Sequence, residues 1–221
     1  MCIIIAKRAG VNLDLQELKD AAKTASLHNC HGTGFAVKRE NSENIILSKG
    51  YKYYEVALET LEKMKIQKGD ELMFHMRYAT AGEVDVENCH PYVVADTLKD
   101  ILVDEAVITD NAVVSHNGTF DYYADKKSNY SDTVHYVKEY LSEEGILESM
   151  RNIEYASYYQ MYRLMGSNKL CIIHPDVNLD MDTFGYWNMR KKESLIYSNY
   201  YHIQPFNGYE LEAASKHKVV S

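Results

Sequence analysis

The sequence predicts an α+β fold, a single domain of mixed strands and helices. Three observations predict it. Short apolar runs bounded by turn-forming residues alternate with stretches whose apolar residues recur at helical spacing. No linker, internal repeat or low-complexity stretch divides the chain. A length of 221 residues suffices for one sizeable domain and falls short of two large ones.

Cys2 to Ala6 is rich in isoleucine and reads as a short buried strand. From Asn12 to Ala25 the residues Leu15, Leu18, Ala22 and Ala25 keep helical spacing, with Asn12 or Asp14 as the cap. Asn29 to Gly34 is turn-forming and leads into a strand, Phe35-Ala36-Val37. The polar stretch Asn41 to Asn44 separates that strand from Ile45-Ile46-Leu47, which predicts a hairpin. Tyr54 to Lys65 repeats the helical stripe through Ala57, Leu61 and Met64. Leu72 to Arg77 and Ala112 to His116 read as strands that deliver polar residues at their ends, the second into the turn signal Asn117-Gly118. Helices are expected from Ser131 to Leu141 and from Ile146 to Leu164. Short strands are expected over Lys169 to Ile173, Gly185 to Met189 and Leu195 to Tyr197.

Composition narrows the function. The formal net charge of −8 repels phosphate backbones, so nucleic acid is not an expected partner. No apolar run reaches bilayer length, so no membrane partner is expected either. Lys7 and Arg8 follow a very short apolar run, the reverse of a secretory signal, so the expected location is cytoplasmic. The four cysteines form no CxxC pair, which removes the zinc-ribbon and thioredoxin-type readings. Cys171 lies in the run Leu170-Cys171-Ile172-Ile173 and fits a buried thiol.

Residues of catalytic type cluster at strand ends and turns: Cys2, His75 to Gly82, Asn88-Cys89-His90-Pro91, His116-Asn117-Gly118 and Ser131-Asp132-Thr133. Singly they have ordinary explanations, as a surface arginine, a hairpin turn or a helix cap. Together they supply the parts of an amino-acid amidase. Met1 precedes a small side chain and is expected to be removed, which frees the α-amine of Cys2. An α-amine titrates at about 7.7–8.0, so it can take the thiol proton within the same residue. Asn117 and the Gly118 N–H could stabilise the developing oxyanion. Arg77 offers a fork for an α-carboxylate, and Asp132 an anion for an α-ammonium.

The motifs Met1-Cys2, His75-x-Arg77-x-Ala79-Thr80-x-Gly82, Asn88-x-His90-Pro91, His116-Asn117-Gly118 and Ser131-Asp132-Thr133 occur in the order found in class II glutamine amidotransferase domains. The chain resembles the short stand-alone members of that family, including those of phage genomes. Asn29-x-His31-Gly32-x-Gly34 resembles their glycine turn, and Tyr197-Ser198-Asn199 a later piece. The resemblance implies a four-layer αββα sandwich of two antiparallel sheets between helices, the fold of N-terminal-nucleophile hydrolases. It implies glutamine as substrate, Cys2 as nucleophile and base, and Asn117 with Gly118 as the oxyanion hole. Arg77 and Asp132 would hold the glutamine head group, and Tyr78 and Thr80 would line the pocket. No cofactor is implied, and a separate ammonia-accepting synthase is the expected partner. The chain departs from synthase-linked members at Ala81, where many carry histidine, and at His31, where they carry an acidic residue. No acceptor-binding synthase domain is expected to follow. Gly32-x-Gly34 lacks the third glycine of a dinucleotide fingerprint.

Three other readings stay open. His75, His90 and His116 could converge on a catalytic metal, although no HExxH supports it. The fold could persist as an interaction module, although Cys2, Asn117 and Asp132 are all retained. The substrate could be another γ-glutamyl compound or small amide.

Overall fold

The computed structural model of the chain describes residues 2–103, 106–125, 127–152, 165–187 and 194–200. The isoleucine run becomes β1 (Ile3–Lys7), buried along its whole length. It lies between β4 (Glu71–Met76) and β10 (Ile196–Tyr197) and is antiparallel to both. With β2 (Thr33–Lys38), β3 (Ile45–Tyr51) and β6 (Val107–Thr109) these strands form a six-stranded sheet in the order β10-β1-β4-β2-β3-β6. Ile3 pairs with Met76 and Ile4 with His75. Cys2, one position earlier, is therefore beside Arg77, one position past the end of β4. A second sheet has the order β5 (Tyr92–Val93), β7 (Val113–Asn117), β8 (Lys169–Ile173), β9 (Asp182–Phe184). Every pairing in it is antiparallel.

Five helices accompany the sheets in the described residues. They are α1 (Leu15–Ser26), α2 (Tyr54–Met64), α3 (Leu98–Ile101), α4 (Asp132–Tyr136) and α5 (Ile146–Arg151); a π-helical turn over Val137–Leu141 extends α4. Side chains alternate across a strand, so each sheet has two faces to cover. Ile3, Ile5, Phe35, Val37 and Phe74 leave the larger sheet on one side and pack against Leu18 and Ala22 of α1 and Leu58 and Leu61 of α2. Ile4, Ala6, Ala36 and Met73 leave it on the other and meet Val93, Val113, Cys171 and Ile173 of the smaller sheet. The remaining face of the smaller sheet, with Val114, Leu170 and Ile172, is covered by Ile101, Val134, Val137, Leu141 and Met150. Burying a side chain of this size contributes about 1.5–3 kcal/mol, which makes these apolar contacts the main stabilising element.

Local chemistry accounts for most boundaries. Asp14, and not Asn12, caps α1: its Oδ1 accepts the Glu17 N–H at 2.9 Å. The expected hairpin of β2 and β3 forms. Ser131 caps α4 by accepting from Val134 N–H. Three expectations need correction or qualification. The turn signal Asn117-Gly118 ends β7 without closing a hairpin, because β7 pairs with β5 and with β8, far along the chain. The strand expected from Gly185 lies earlier, at Asp182–Phe184, and ends where Gly185 adopts a φ of +89°. The helix expected over Ile146 to Leu164 is α5 as far as Arg151, and residues 153–164 lie outside the described residues, as do Asn188 and Met189. Among the described residues no helix is long and apolar enough to cross a membrane.

Candidate active site

Cys2 is 8% exposed at the head of β1. Its sulfur contacts the backbone of one residue in two ways: Tyr78 N–H donates to Sγ at 3.4 Å, and the thiol donates to Tyr78 O at 3.6 Å. Burial pushes the thiol pKa up, the Tyr78 hydrogen bond and the Arg77 charge work against that rise, and Asp132 adds to it. The balance favours the protonated thiol at neutral pH, so a nucleophilic Cys2 needs a base.

The backbone around Tyr78 is held from both sides. Arg77 N–H donates to Gly32 O at 2.8 Å, and His31 N–H donates to Arg77 O at 3.0 Å. Ala79 N–H donates to His31 Nδ1 at 2.9 Å. The Tyr78 ring stacks on His28 and His31, with centroids 4.8 and 5.2 Å away. The glycine turn predicted from the sequence is therefore the support on which the segment at the thiol rests. Thr80 is exposed, and its hydroxyl lies 3.5 Å from that of Thr119.

Arg77 is 2% exposed, and its guanidinium donates to Glu83 O at 2.6 Å and Ala81 O at 3.0 Å. Among the described residues no carboxylate pairs with it. Asp132 is 5% exposed at the first position of α4, where its Oδ2 accepts the Phe120 N–H at 2.6 Å. The nearest basic group to it is His116 Nδ1, at 4.0 Å. Asn88 ties the two loops together: its Oδ1 accepts the Ser131 N–H at 2.7 Å, and its Nδ2 donates to Asn129 O at 2.8 Å.

Asn117 ends β7 fully buried, and its Nδ2 donates to Ser198 Oγ at 2.8 Å. Ser198 Oγ also accepts the Ile4 N–H at 2.8 Å, and Asn199 Nδ2 donates to Cys2 O at 2.6 Å. Gly118 has a φ of +148°, and a Cβ there would lie 2.1 Å from Asn168 Oδ1. Only glycine fits at the position whose N–H is the second candidate donor.

The three histidines converge on one another. His75 and His90 stack at 4.2 Å, and His75 Nε2 is 3.3 Å from His116 O. The Thr133 hydroxyl links His90 Nε2, at 3.3 Å, to His116 Nδ1, at 2.8 Å, and His116 Nε2 meets Asn168 Oδ1 at 2.9 Å. Burial lowers all three pKa values, that of His75 to about 3. They form a neutral hydrogen-bonded cluster. Among the described residues no group of three His, Cys, Asp or Glu side chains is placed to hold a metal ion.

The residues singled out in the sequence thus lie on connected elements: Cys2 touches Tyr78, Arg77 adjoins it, and Asp132 influences the thiol charge. Residue-type reasoning missed the positions of Ser198 and Asn199, which reach Cys2 and Ile4 from almost the other end of the chain. The one available signal was the likeness of Tyr197-Ser198-Asn199 to a later family segment. No family model matches this chain, and no curated protein matches it.

Proposed function

We propose that the protein is a glutamine amidohydrolase of the N-terminal-nucleophile type. One observation carries the reading. Arg77 and Asp132 are both buried, are opposite in sign, and both influence the Cys2 thiol. Among the described residues neither meets an opposite charge at hydrogen-bond distance. An uncompensated buried charge is costly. A free α-amino acid carries the two charges that would neutralise this pair, on one carbon. The three apolar layers described above support reading the fold as a four-layer αββα sandwich.

In the proposed reaction the Cys2 α-amine takes the thiol proton as sulfur adds to the side-chain carbonyl of glutamine. The Asn117 amide and the Gly118 N–H stabilise the oxyanion. The α-ammonium then returns the proton to the departing nitrogen, and ammonia leaves a thioester. Water, with the same amine as base, releases glutamate and restores the thiol. The ammonia would pass to a separate synthase.

The base exists only if Cys2 is the first residue. Intact mass of active protein should therefore correspond to a chain starting at Cys2, whatever preceded it, and that species should release one ammonia per glutamate from glutamine. Full activity in a species whose Cys2 nitrogen is still acylated would overturn the mechanism. Activity on γ-glutamyl amides with none on glutamine would move the substrate and keep the nucleophile.

A further inference from the structure

Ser198 sits where the nucleophile strand and the oxyanion strand meet. Its N–H donates to Ile4 O at 3.0 Å, and its Oγ accepts the Ile4 N–H at 2.8 Å. The same oxygen accepts Asn117 Nδ2 at 2.8 Å. Ser198 is 1% exposed, and Asn117 is fully buried. This arrangement leaves two groups over. The Ser198 hydroxyl has filled both lone pairs, and its own proton meets no acceptor among the described residues. Asn117 Oδ1 is buried and meets no donor. Buried polar groups are nearly always satisfied, so a pair of complementary orphans side by side calls for a physical cause.

A half-turn of the Asn117 amide pairs these two groups with each other and leaves the NH2 hydrogens in the buried place of the former oxygen, open to an incoming acceptor. The oxygen then occupies the place 2.8 Å from Ser198 Oγ and accepts its proton, while the NH2 group takes the former place of the oxygen. The amide keeps its shape, because only O and N exchange. The chemistry of the site differs sharply between the two seats. With the oxygen facing away from Ser198, the amide repels an oxyanion that develops beside it. With the oxygen tied to Ser198, both Nδ2 hydrogens are available to one. Ser198 Oγ is itself fixed by the N–H of Ile4, two positions from Cys2 on the same face of β1. The donor group is thereby referenced to the strand that carries the nucleophile, although it belongs to the other sheet.

We propose that Ser198 is a positioning residue whose hydroxyl donates to Asn117 Oδ1 and so presents the Asn117 NH2 group to the oxyanion. The catalytic consequence rests on the glutamine amidohydrolase reading; the orientation of the amide does not. Two measurements separate them. Neutron diffraction from the deuterium-exchanged protein should place one deuteron between Ser198 Oγ and Asn117, bonded to the serine, and two on the far atom of the amide. Two deuterons on the amide atom facing Ser198 would overturn the proposal whatever the protein catalyses. In glutamine turnover, Ser198→Ala should lower kcat about tenfold to a hundredfold, less than loss of a donor itself, with KM nearly unchanged. Ser198→Thr, which keeps the hydroxyl, should recover most of that loss. Ser198→Ala should add nothing in an Asn117→Ala background, since Ser198 acts through that side chain. A further loss of the same size in the double variant would assign Ser198 a purely structural role and sink the proposal. If the wild type turns over no glutamine, the functional reading fails, and the neutron map alone decides the amide.

Discussion

The space between the two sheets has an apolar end and a polar end, and the same three strands build both. At the apolar end β1, β4 and β7 contribute Ile4 and Ala6, Met73, and Val113. Further along the same faces stand Cys2 just before β1, His75 on β4 with Arg77 just past it, and Ser115 and Asn117 on β7, all buried. The two ends have similar burial and opposite energetics. Each apolar side chain contributes a few kcal/mol by leaving water, whereas an unsatisfied buried polar group costs about 1–3 kcal/mol. Unpartnered atoms occur at the polar end on His75 Nδ1, Ser115 Oγ and Asn117 Oδ1. One half of the layer therefore holds the sheets together, and the other half draws on that stability to keep reactive groups dry.

The sharpest test exchanges the fates of two neighbours on β1. Cys2→Ala should lower glutamine turnover by about 10⁴-fold or more, the scale of losing a nucleophile, with little change in melting temperature. Ile4→Ala, on the same face, should cost about 2–5 kcal/mol of stability and leave the folded fraction active. Steady-state assays and thermal melts on both variants decide; large stability loss from Cys2→Ala with activity retained would erase the distinction between the ends.

A smaller effect is expected from the charged pair. Arg77→Lys keeps the charge and loses the fork, so kcat/KM for glutamine should fall by about a hundredfold. Asp132→Asn should impair glutamine far more than an analogue lacking the α-amine. Equal losses on both substrates would remove Asp132 from head-group recognition.

The smallest effect concerns acid. His75 has its pKa lowered from 6.5 to about 3, and His90 and His116 shift the same way. Between those values the unfolded chain binds the proton and the folded chain does not, so stability is full above about pH 6.5 and falls as the pH drops toward 3. At pH 5.5, one unit below the ordinary histidine value, His75 alone should cost about 1.4 kcal/mol. Chemical denaturation at pH 7.5 and 5.5 measures this. His75→Gln should make the dependence shallower, and an unchanged slope would mean that His75 does not contribute to acid stability.

Much of this contrast was legible in the sequence. The isoleucine run, the two helical stripes and the β2–β3 hairpin follow from local periodicity, which burial of a sheet face or helix stripe enforces. The polar ends of β4 and β7 were visible as His75 with Arg77 and His116 with Asn117. β5, α3 and β6 were not, because two to four residues are too few for a period to show. Asn117-Gly118 was legible as a turn signal; that it ends a strand where Asn168 crowds the backbone was not, since that depends on a distant segment. The Ser198 and Asn199 contacts could not be derived from residue type, since hydrogen bonds to residues 2 and 4 depend on which strand takes the edge beside β1.

That edge has a consequence for how the protein is born. Asn199, which holds the Cys2 carbonyl, lies 197 positions after it. At roughly 5–20 residues per second the ribosome needs about 10–40 s to travel between them. Throughout that interval β1 lacks its outer neighbour, and Ile4 has no serine oxygen for its N–H. The cysteine is therefore synthesised well before the residues that complete its surroundings. A nascent chain thus carries the thiol without the clasp that aligns it until Ser198 and Asn199 have been added.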